Sequence, residues 1–454
     1  MAAERRVSLV LCDSTGALLG MLPAFTVDDP WWQEVQPVIA AARERFTAEV
    51  VVLRILDVKS DTHNGGHVTY LAELVGKPLR ELPLTPAAAN VSPEEPLRAA
   101  WARPGGVTAT IAWADDALAA IGRPRVGPVV QMKTWNLSSV LRLPTANGDV
   151  WCKSVPPFLA HEGGIIALVG DDDTTLVPPL LASEPATGTV LLGDVPGDDD
   201  WNASERRLLT MVQTLVQLQA RWMDRIDELL IAGLPDWRTR SLTHLVDALV
   251  SRPDVREQFA DGELRALDAL TGRLPDRFAA LDACGIPETL VHGDFHRGNW
   301  RFDGHSLVLL DWGDTGVGHP MLDMSSFEAY VPDDVRLRVR AAWIDAWRGE
   351  RPGADPSLAA ELIAPIAALR RAVVYRGSST GSNPASAAIT HPTSETGCGR
   401  LSNKPPMVGE GGVEPPRPCG HRNLNPARLP IPPLARAGTN RSSRARGFRA
   451  RCAG

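Results

Sequence analysis

The stretch LVHGDFHRGNWRFDGHSLVLLDWGDTG, residues 290–316, concentrates side chains that can do chemistry. His292, Asp294 and His296 alternate, Asn299 follows Asp294 on the same run, and Asp311 closes an apolar segment. Two chemistries want such a set. Phosphoryl transfer asks for a held triphosphate, Mg2+ to offset the oxygen charge and an oriented hydroxyl, with little covalent work for the protein. Metal-dependent hydrolysis asks for clustered ligands around Zn2+ or Mn2+, which His292, Asp294 and His296 would supply if an extended strand set them on one face.

Gly293 and the Arg297-Gly298-Asn299 run argue for a loop rather than a strand. On a loop, Asp294 can accept the proton of an attacking hydroxyl while Asn299 turns back toward a metal. WRFDGHSLVLLD then reads as a hairpin around Asp303-Gly304 that delivers Asp311 beside Asn299. A carboxylate and an amide oxygen facing one pocket make a hard-oxygen Mg2+ site. No further His-rich segment completes the hydrolase alternative, and His161, His305 and His319 stand alone, as hydrogen-bonding residues do. A triphosphate also needs a cation. The chain has only five lysines, and Lys153 is one of them, set inside the apolar strand VWCKSV. Its compact ammonium can reach α- and β-phosphate oxygens as a point charge. Glu162, on the next helix, can pair with it. Taken singly, Lys153 also suits a strand edge and Glu162 a solvated helix face; their order relative to Asp294 and Asp311 favours the phosphate site.

These residues need a scaffold. From about residue 126, two apolar stretches flank Thr145–Asp149 and read as a hairpin, with Asn147-Gly148 as a type I′ turn. FLAHEGGIIALVG is a helix weakened by Gly163-Gly164, and TTLVPPLLASEPATGTVLLGDVPG gives two short strands with an exit at Pro196-Gly197. Thereafter the chain turns helical. ERRLLTMVQTLVQLQARWMDRIDELL has apolar residues at helical spacing, Asn202 or Ser204 to cap it and Gly233 past its end. A small β-rich lobe followed by a larger α-rich lobe is the order of a kinase-like fold.

The joint pattern resembles the aminoglycoside phosphotransferase family, which includes choline and other small-molecule kinases. The resemblance covers about residues 128–376 and rests on His292-Gly293-Asp294 with Asn299, on Asp311-Trp312, and on Gly318, Pro320, Asp323 and Met324. VLLGDVPG, residues 190–197, resembles the hinge whose backbone meets the nucleotide base, which places Leu192 and Asp194 there. The resemblance implies an α+β, protein-kinase-like bilobal fold. It implies Asp294 as catalytic base, Asn299 and Asp311 as Mg2+ ligands, Lys153 with Glu162 as phosphate anchor, and His292 and Asp323 as structural supports. The co-substrate would be ATP or GTP, and the acceptor a small molecule with a hydroxyl. One departure is Gln219, where relatives carry a His within LHA. The alternatives are a catalytically inactive nucleotide-binding module of the same fold, and the hydrolase.

The division expected is 1–125, an α+β unit; 126–195, a β-rich lobe; 196–376, a helical lobe; and 377–454, a tail. The first unit reads strand, turn, strand, helix, strand, strand, reminiscent of Nudix domains. Its helix lacks their glutamate cluster, carrying Glu44 without the flanking acidic pair, so binding or structural work is expected there. From Gly377 onward the chain carries a formal charge of +8, against −15 for the body before it. An acidic body argues against nucleic acid as partner and suits a cationic small substrate. The tail, rich in Pro, Gly, Ser and Arg, has no apolar periodicity. It reads as disordered and resembles mispredicted reading frames across transfer RNA genes. The six cysteines are scattered without a CxxC pair. No apolar run reaches the ~18 residues of a membrane span, and the N-terminus reads as a strand rather than a secretory signal, so a cytoplasmic protein is expected.

Overall fold

The computed structural model describes residues 4–60, 64–87, 89, 95 and 98–381, with 376–381 as backbone alone. The expected disordered tail lies outside the described residues, except that the last helix runs on to Gly381. β-Branched runs near the N-terminus build a first sheet from β1 (Arg5–Cys12), β2 (Leu18–Met21), β3 (Phe25–Val27), β4 (Val50–Lys59) and β5 (Gly66–Leu74). Its order is β2-β1-β5-β4, with β3 also on β1; β1 and β5 run parallel. Helix α1 (Gln36–Phe46) packs Val38 and Ala42 over one face, against Val7, Leu9, Val52 and Tyr70. Helix α2 (Gly106–Ala120) packs over the other. The sequence reading leaves α2 out, because its start offers only Gly105 as cap and no side-chain cap bond.

The second sheet is fully antiparallel, in the order β6-β7-β8-β10-β9. Its strands are β6 (Val130–Thr134), β7 (Ser139–Thr145), β8 (Gly148–Ser154), β9 (Leu180–Glu184) and β10 (Thr189–Gly193), with α3 (Glu162–Asp172) between β8 and β9. The β7–β8 turn differs from expectation. Thr145 pairs with Gly148, so Ala146 and Asn147 form the bend, and only Gly148 has positive φ, at 98°. A type I′ turn would need positive φ at both central residues. Arg123 donates to the carbonyls of Asn147 and Gly148 there.

The two sheets share a core. Val10, Leu53 and Leu71 of the first pack with Leu141, Leu143, Val150, Cys152 and Leu191 of the second. The Gln131 side chain on β6 bonds both ends of one residue on β4, accepting from Val52 N at 2.9 Å and donating to Val52 O at 2.7 Å.

Beyond β11 (Asp198–Asp199) the chain forms α4 (Glu205–Trp222), α5 (Ile226–Ile231), α6 (Thr239–Val250), α7 (Pro253–Arg256), α8 (Asp261–Thr271) and α9 (Leu274–Asp282). Ser204 caps α4, its hydroxyl accepting from Arg207 N. The expected long helix breaks after Trp222, where Arg225 stacks on the Trp222 ring and pairs with Asp172 and Glu228. Two short ladders follow: β12 (Thr289–Val291) with β15 (Gly316–Gly318), and β13 (Trp300–Phe302) between β11 and β14 (Leu307–Leu309). Helices α10 (Met321–Glu328), α11 (Asp333–Glu350) and α12 (Pro356–Gly381) close the lobe around Trp222, Trp300, Trp312, Trp343 and Trp347. The molecule has the α+β, bilobal, kinase-like architecture expected. Among the described residues no helix is long and apolar enough to cross a membrane.

Candidate active site

Lys153 sits on β8 between Cys152 and Ser154, whose side chains face the shared core, so alternation turns the ammonium toward the helical lobe. Its Nζ lies 2.7 Å from Glu162 Oε1 and 2.6 Å from Asp311 Oδ1. Glu162 opens α3, which lies close on the sheet because residue 163 is glycine; a Cβ there would stand 2.2 Å from Ser183 Oγ. Burial alone would lower the Lys153 pKa, but the Asp311 and Glu162 carboxylates outweigh it and raise it. Lys153 in turn holds Asp311 below the usual carboxylate range, while burial pushes Glu162 up.

The loop after β12 carries Asp294. Gly293 has φ of 87°, and a Cβ on it would stand 1.9 Å from Asp314 O, so a side chain there would collide with backbone. Asp323, fully buried, ties the loop down: it accepts from His292 N and Gly293 N, both at 2.8 Å, and from Gln219 Nε2 at 2.9 Å. Burial pushes its pKa up to about 6. His292 Nε2 donates to Leu310 O at 3.1 Å, and burial lowers this imidazole to about 4, so it stands neutral. Asn299 Nδ2 donates to Asp294 O at 2.9 Å and to Asp294 Oδ2 at 3.3 Å. Leu310 N donates to Asn299 O at 2.8 Å, which sets the next residue, Asp311, alongside. Asp311 is one of two non-glycine residues with positive φ among the described residues, at 62°. Such a backbone is uncommon outside glycine and persists only where its surroundings hold it.

The structure thus brings Lys153, Glu162, Asp294, Asn299 and Asp311 to one place between the lobes. The donor chemistry fits a hard divalent cation: the Asp311 carboxylate is exposed to the cleft, and the Asn299 amide commits its nitrogen to Asp294, which leaves its oxygen to coordinate. His292 and His296 do not join such a set. His292 turns to Leu310 O, while His296 Nδ1 accepts from Gly298 N at 3.0 Å and its Nε2 stands 3.5 Å from Asp294 Oδ2. Among the described residues, no group of three or more His, Cys, Asp or Glu side chains is arranged to hold a metal. Leu192, next to the last residue of β10, pairs with Trp151, and Asp194 on the connection between lobes accepts from Trp151 Nε1 at 2.7 Å.

Four residues near Asp294 escaped the sequence reading. Arg370 on α12, almost fully buried, donates to Gly293 O at 2.8 Å and Asp314 O at 3.2 Å, and its guanidinium lies 3.6 Å from the Trp237 ring centroid. Its only signal is a charge within the apolar run PIAALRRAVV. Asp314 is pushed up to about 7 by burial and by the Asp294 charge. Trp201 and Tyr330 pack against His296, with ring centroids at 5.2 and 4.9 Å, and against each other at 6.0 Å; nothing in their local sequence marks them.

Residues 165–359 match the family model described as the phosphotransferase enzyme family, APH. This bears out the resemblance to small-molecule phosphotransferases carried by the motifs. No curated protein matches the chain. Among solved structures, the chain is similar to a macrolide 2′-phosphotransferase from Brachybacterium faecium, at 19% identity over 63% of this chain and 99% of that one, with a TM-score of 0.45. It is also similar to a putative aminoglycoside phosphotransferase from Ralstonia eutropha, at 18% identity over 60% and 88%, with a TM-score of 0.44. The comparisons give the Nudix-like reading of the first unit no support.

Proposed function

We propose that this chain, matching a phosphotransferase family over residues 165–359, moves the γ-phosphate of ATP or GTP to a hydroxyl of a small acceptor. The observation that carries the reading is the meeting of three distant segments: Lys153 on the small sheet, Asp294 with Asn299 on one loop, and Asp311 after the hairpin. The division into a β-rich lobe over 126–195 and a helical lobe over 196–376, behind a unit at 1–125, goes with it.

In this mechanism the nucleotide lies between the lobes, its base along the backbone at Leu192 and Asp194. Lys153, oriented by Glu162, answers the α- and β-phosphate oxygens. Asn299 and Asp311 would hold Mg2+, which when bound neutralises charge on the transferring phosphoryl group. Asp294 accepts a hydrogen bond from the acceptor hydroxyl and takes its proton as the new P–O bond forms and the bond to the nucleoside diphosphate breaks. Positioning and preorganised charge provide most of the rate gain. His292, neutral and fixed by Leu310 O, and Asp323, gripping two loop amides, keep Asp294 in place. The acidic body favours a cationic acceptor.

A nucleotide-consumption screen against hydroxyl-bearing amines, sugars and antibiotics tests the reading. Acceptor-dependent release of nucleoside diphosphate is expected; nucleotide binding without turnover on any acceptor would point instead to an inactive binding module. Asp311→Ala is expected to weaken Mg2+-nucleotide binding, and an unchanged affinity would remove it from the metal site.

A further inference from the structure

Lys153 makes one contact that anchoring a phosphate does not require. Its Nζ donates to Glu162 Oε1 at 2.7 Å and also to Asp311 Oδ1 at 2.6 Å. Glu162 is buried, on the helix that packs under the same small sheet. Asp311 stands on the helical lobe, with 48% of its side chain exposed toward the cleft. The ammonium thus bridges the lobes through the very carboxylate that would hold the metal, in a residue whose backbone has φ of 62°. Such a backbone persists only where its surroundings hold it, and Lys153 is one of the groups holding it.

A divalent cation arriving by itself meets two obstacles. Its charge on Asp311 would stand beside the Lys153 charge, and like charges so close repel. Displacing Lys153 would leave the ammonium with one carboxylate in place of two, at the loss of a charge-assisted bond. The protein donors are also few. Asn299 and Asp311 give one amide oxygen and one carboxylate, and among the described residues no three His, Cys, Asp or Glu side chains are grouped to hold a metal. Mg2+ on so few carboxylates commonly completes its shell with substrate phosphates. Nucleotide phosphates remove both obstacles at once. They offer Lys153 anionic oxygens in exchange for Asp311, while Glu162 keeps its bond, and they add oxygens to the metal's shell.

We propose that Lys153 is a placeholder cation on Asp311, so that this chain takes up its divalent cation together with the nucleotide and not before it. The proposal rests on the reading of Asn299 and Asp311 as metal ligands.

Mn2+ binding to the full chain, read from the electron spin resonance signal of the free ion, tests it without acceptor or turnover. Wild type alone should bind Mn2+ weakly. With ADP or GDP its affinity should rise at least about tenfold, after allowing for the ion that the nucleotide sequesters by itself. Lys153→Met should bind Mn2+ without nucleotide at least about tenfold more tightly than wild type. That variant leaves buried Glu162 without its cation, so Lys153→Met combined with Glu162→Leu, checked for a native circular dichroism spectrum, should show the same gain. Adding Asp311→Ala should abolish it. Wild type that binds Mn2+ equally well with and without nucleotide, or a double variant with no gain, would overturn the proposal and leave the phosphotransfer reading standing. A gain that survives Asp311→Ala, or no binding in any protein with or without nucleotide, would remove the metal ligands of that reading and the proposal with them.

Discussion

Gln219 shows how one side chain supports a loop that it does not belong to. Its Nε2 donates to buried Asp323, the carboxylate that grips His292 N and Gly293 N. Gln219→Ala should therefore cost about 1–3 kcal/mol, read by urea unfolding; an unchanged midpoint would show that two amides satisfy Asp323 alone. His319 makes a pH prediction. Burial lowers its pKa to about 3. The unfolded chain takes up a proton below the ordinary histidine pKa and the folded chain does not, so stability falls as pH drops through that range. Asp323, raised to about 6, works in the opposite direction over part of it, so the test must be a difference. Between pH 7 and pH 5 the wild type should lose about 2 kcal/mol relative to His319→Gln. A constant difference across that range would mean that His319 protonates in the fold. At this scale Lys153 was legible because lysine is scarce in this chain. Arg370 was not, because arginine is plentiful and one arginine in a helix looks like another until its burial is known.

Among elements, α12 is the clearest case of distant support. Its Arg370 reaches the carbonyl of Gly293, the residue before Asp294, and that of Asp314. Arg370→Met would free both carbonyls and let the loop shift. The expected result is a fall in kcat of roughly 10²-fold, with the KM for nucleotide little changed; an unaltered kcat would make Arg370 a packing residue only. Most elements were legible from period and punctuation: the amphipathic stripe and Ser204 cap of α4, and the alternation of β7 and β8. Turn register was not. Asn147-Gly148 looked like a type I′ turn, but the pairing of Thr145 with Gly148 moves the bend by one residue. Arg123, from outside the hairpin, donates to the carbonyls of Asn147 and Gly148 at that bend. Helix α2 was missed for a related reason: its start lacks a cap, and its stability comes from packing Val107, Ala114 and Leu118 into a core shared by two sheets.

At the scale of the molecule, the N-terminal sheet is joined to the sheet that carries Lys153. The sequence showed two clusters of strands; it could not show that one face of each would be buried against the other, since an alternating strand does not name its partner. Gln131 is the polar stitch of that joint. Gln131→Ala should leave Val52 N–H and C=O unanswered in a buried place, at a cost on the order of 2–4 kcal/mol in global unfolding. A loss confined to the first sheet, with the rest unfolding as before, would argue that the two sheets are separate cooperative units. The bilobal frame itself was readable because its parts follow a fixed order, strand lysine, helix glutamate, loop aspartate and hairpin aspartate, and that order survives any error in turn or boundary. The central claim is that Asp294 orients and deprotonates an acceptor hydroxyl beside a nucleotide held by other groups. Measuring nucleotide affinity and phosphate transfer side by side for wild type and Asp294→Ala tests it most directly: affinity should stay close to wild type while transfer falls by at least about 10²-fold, and equal turnover in the two proteins would contradict it.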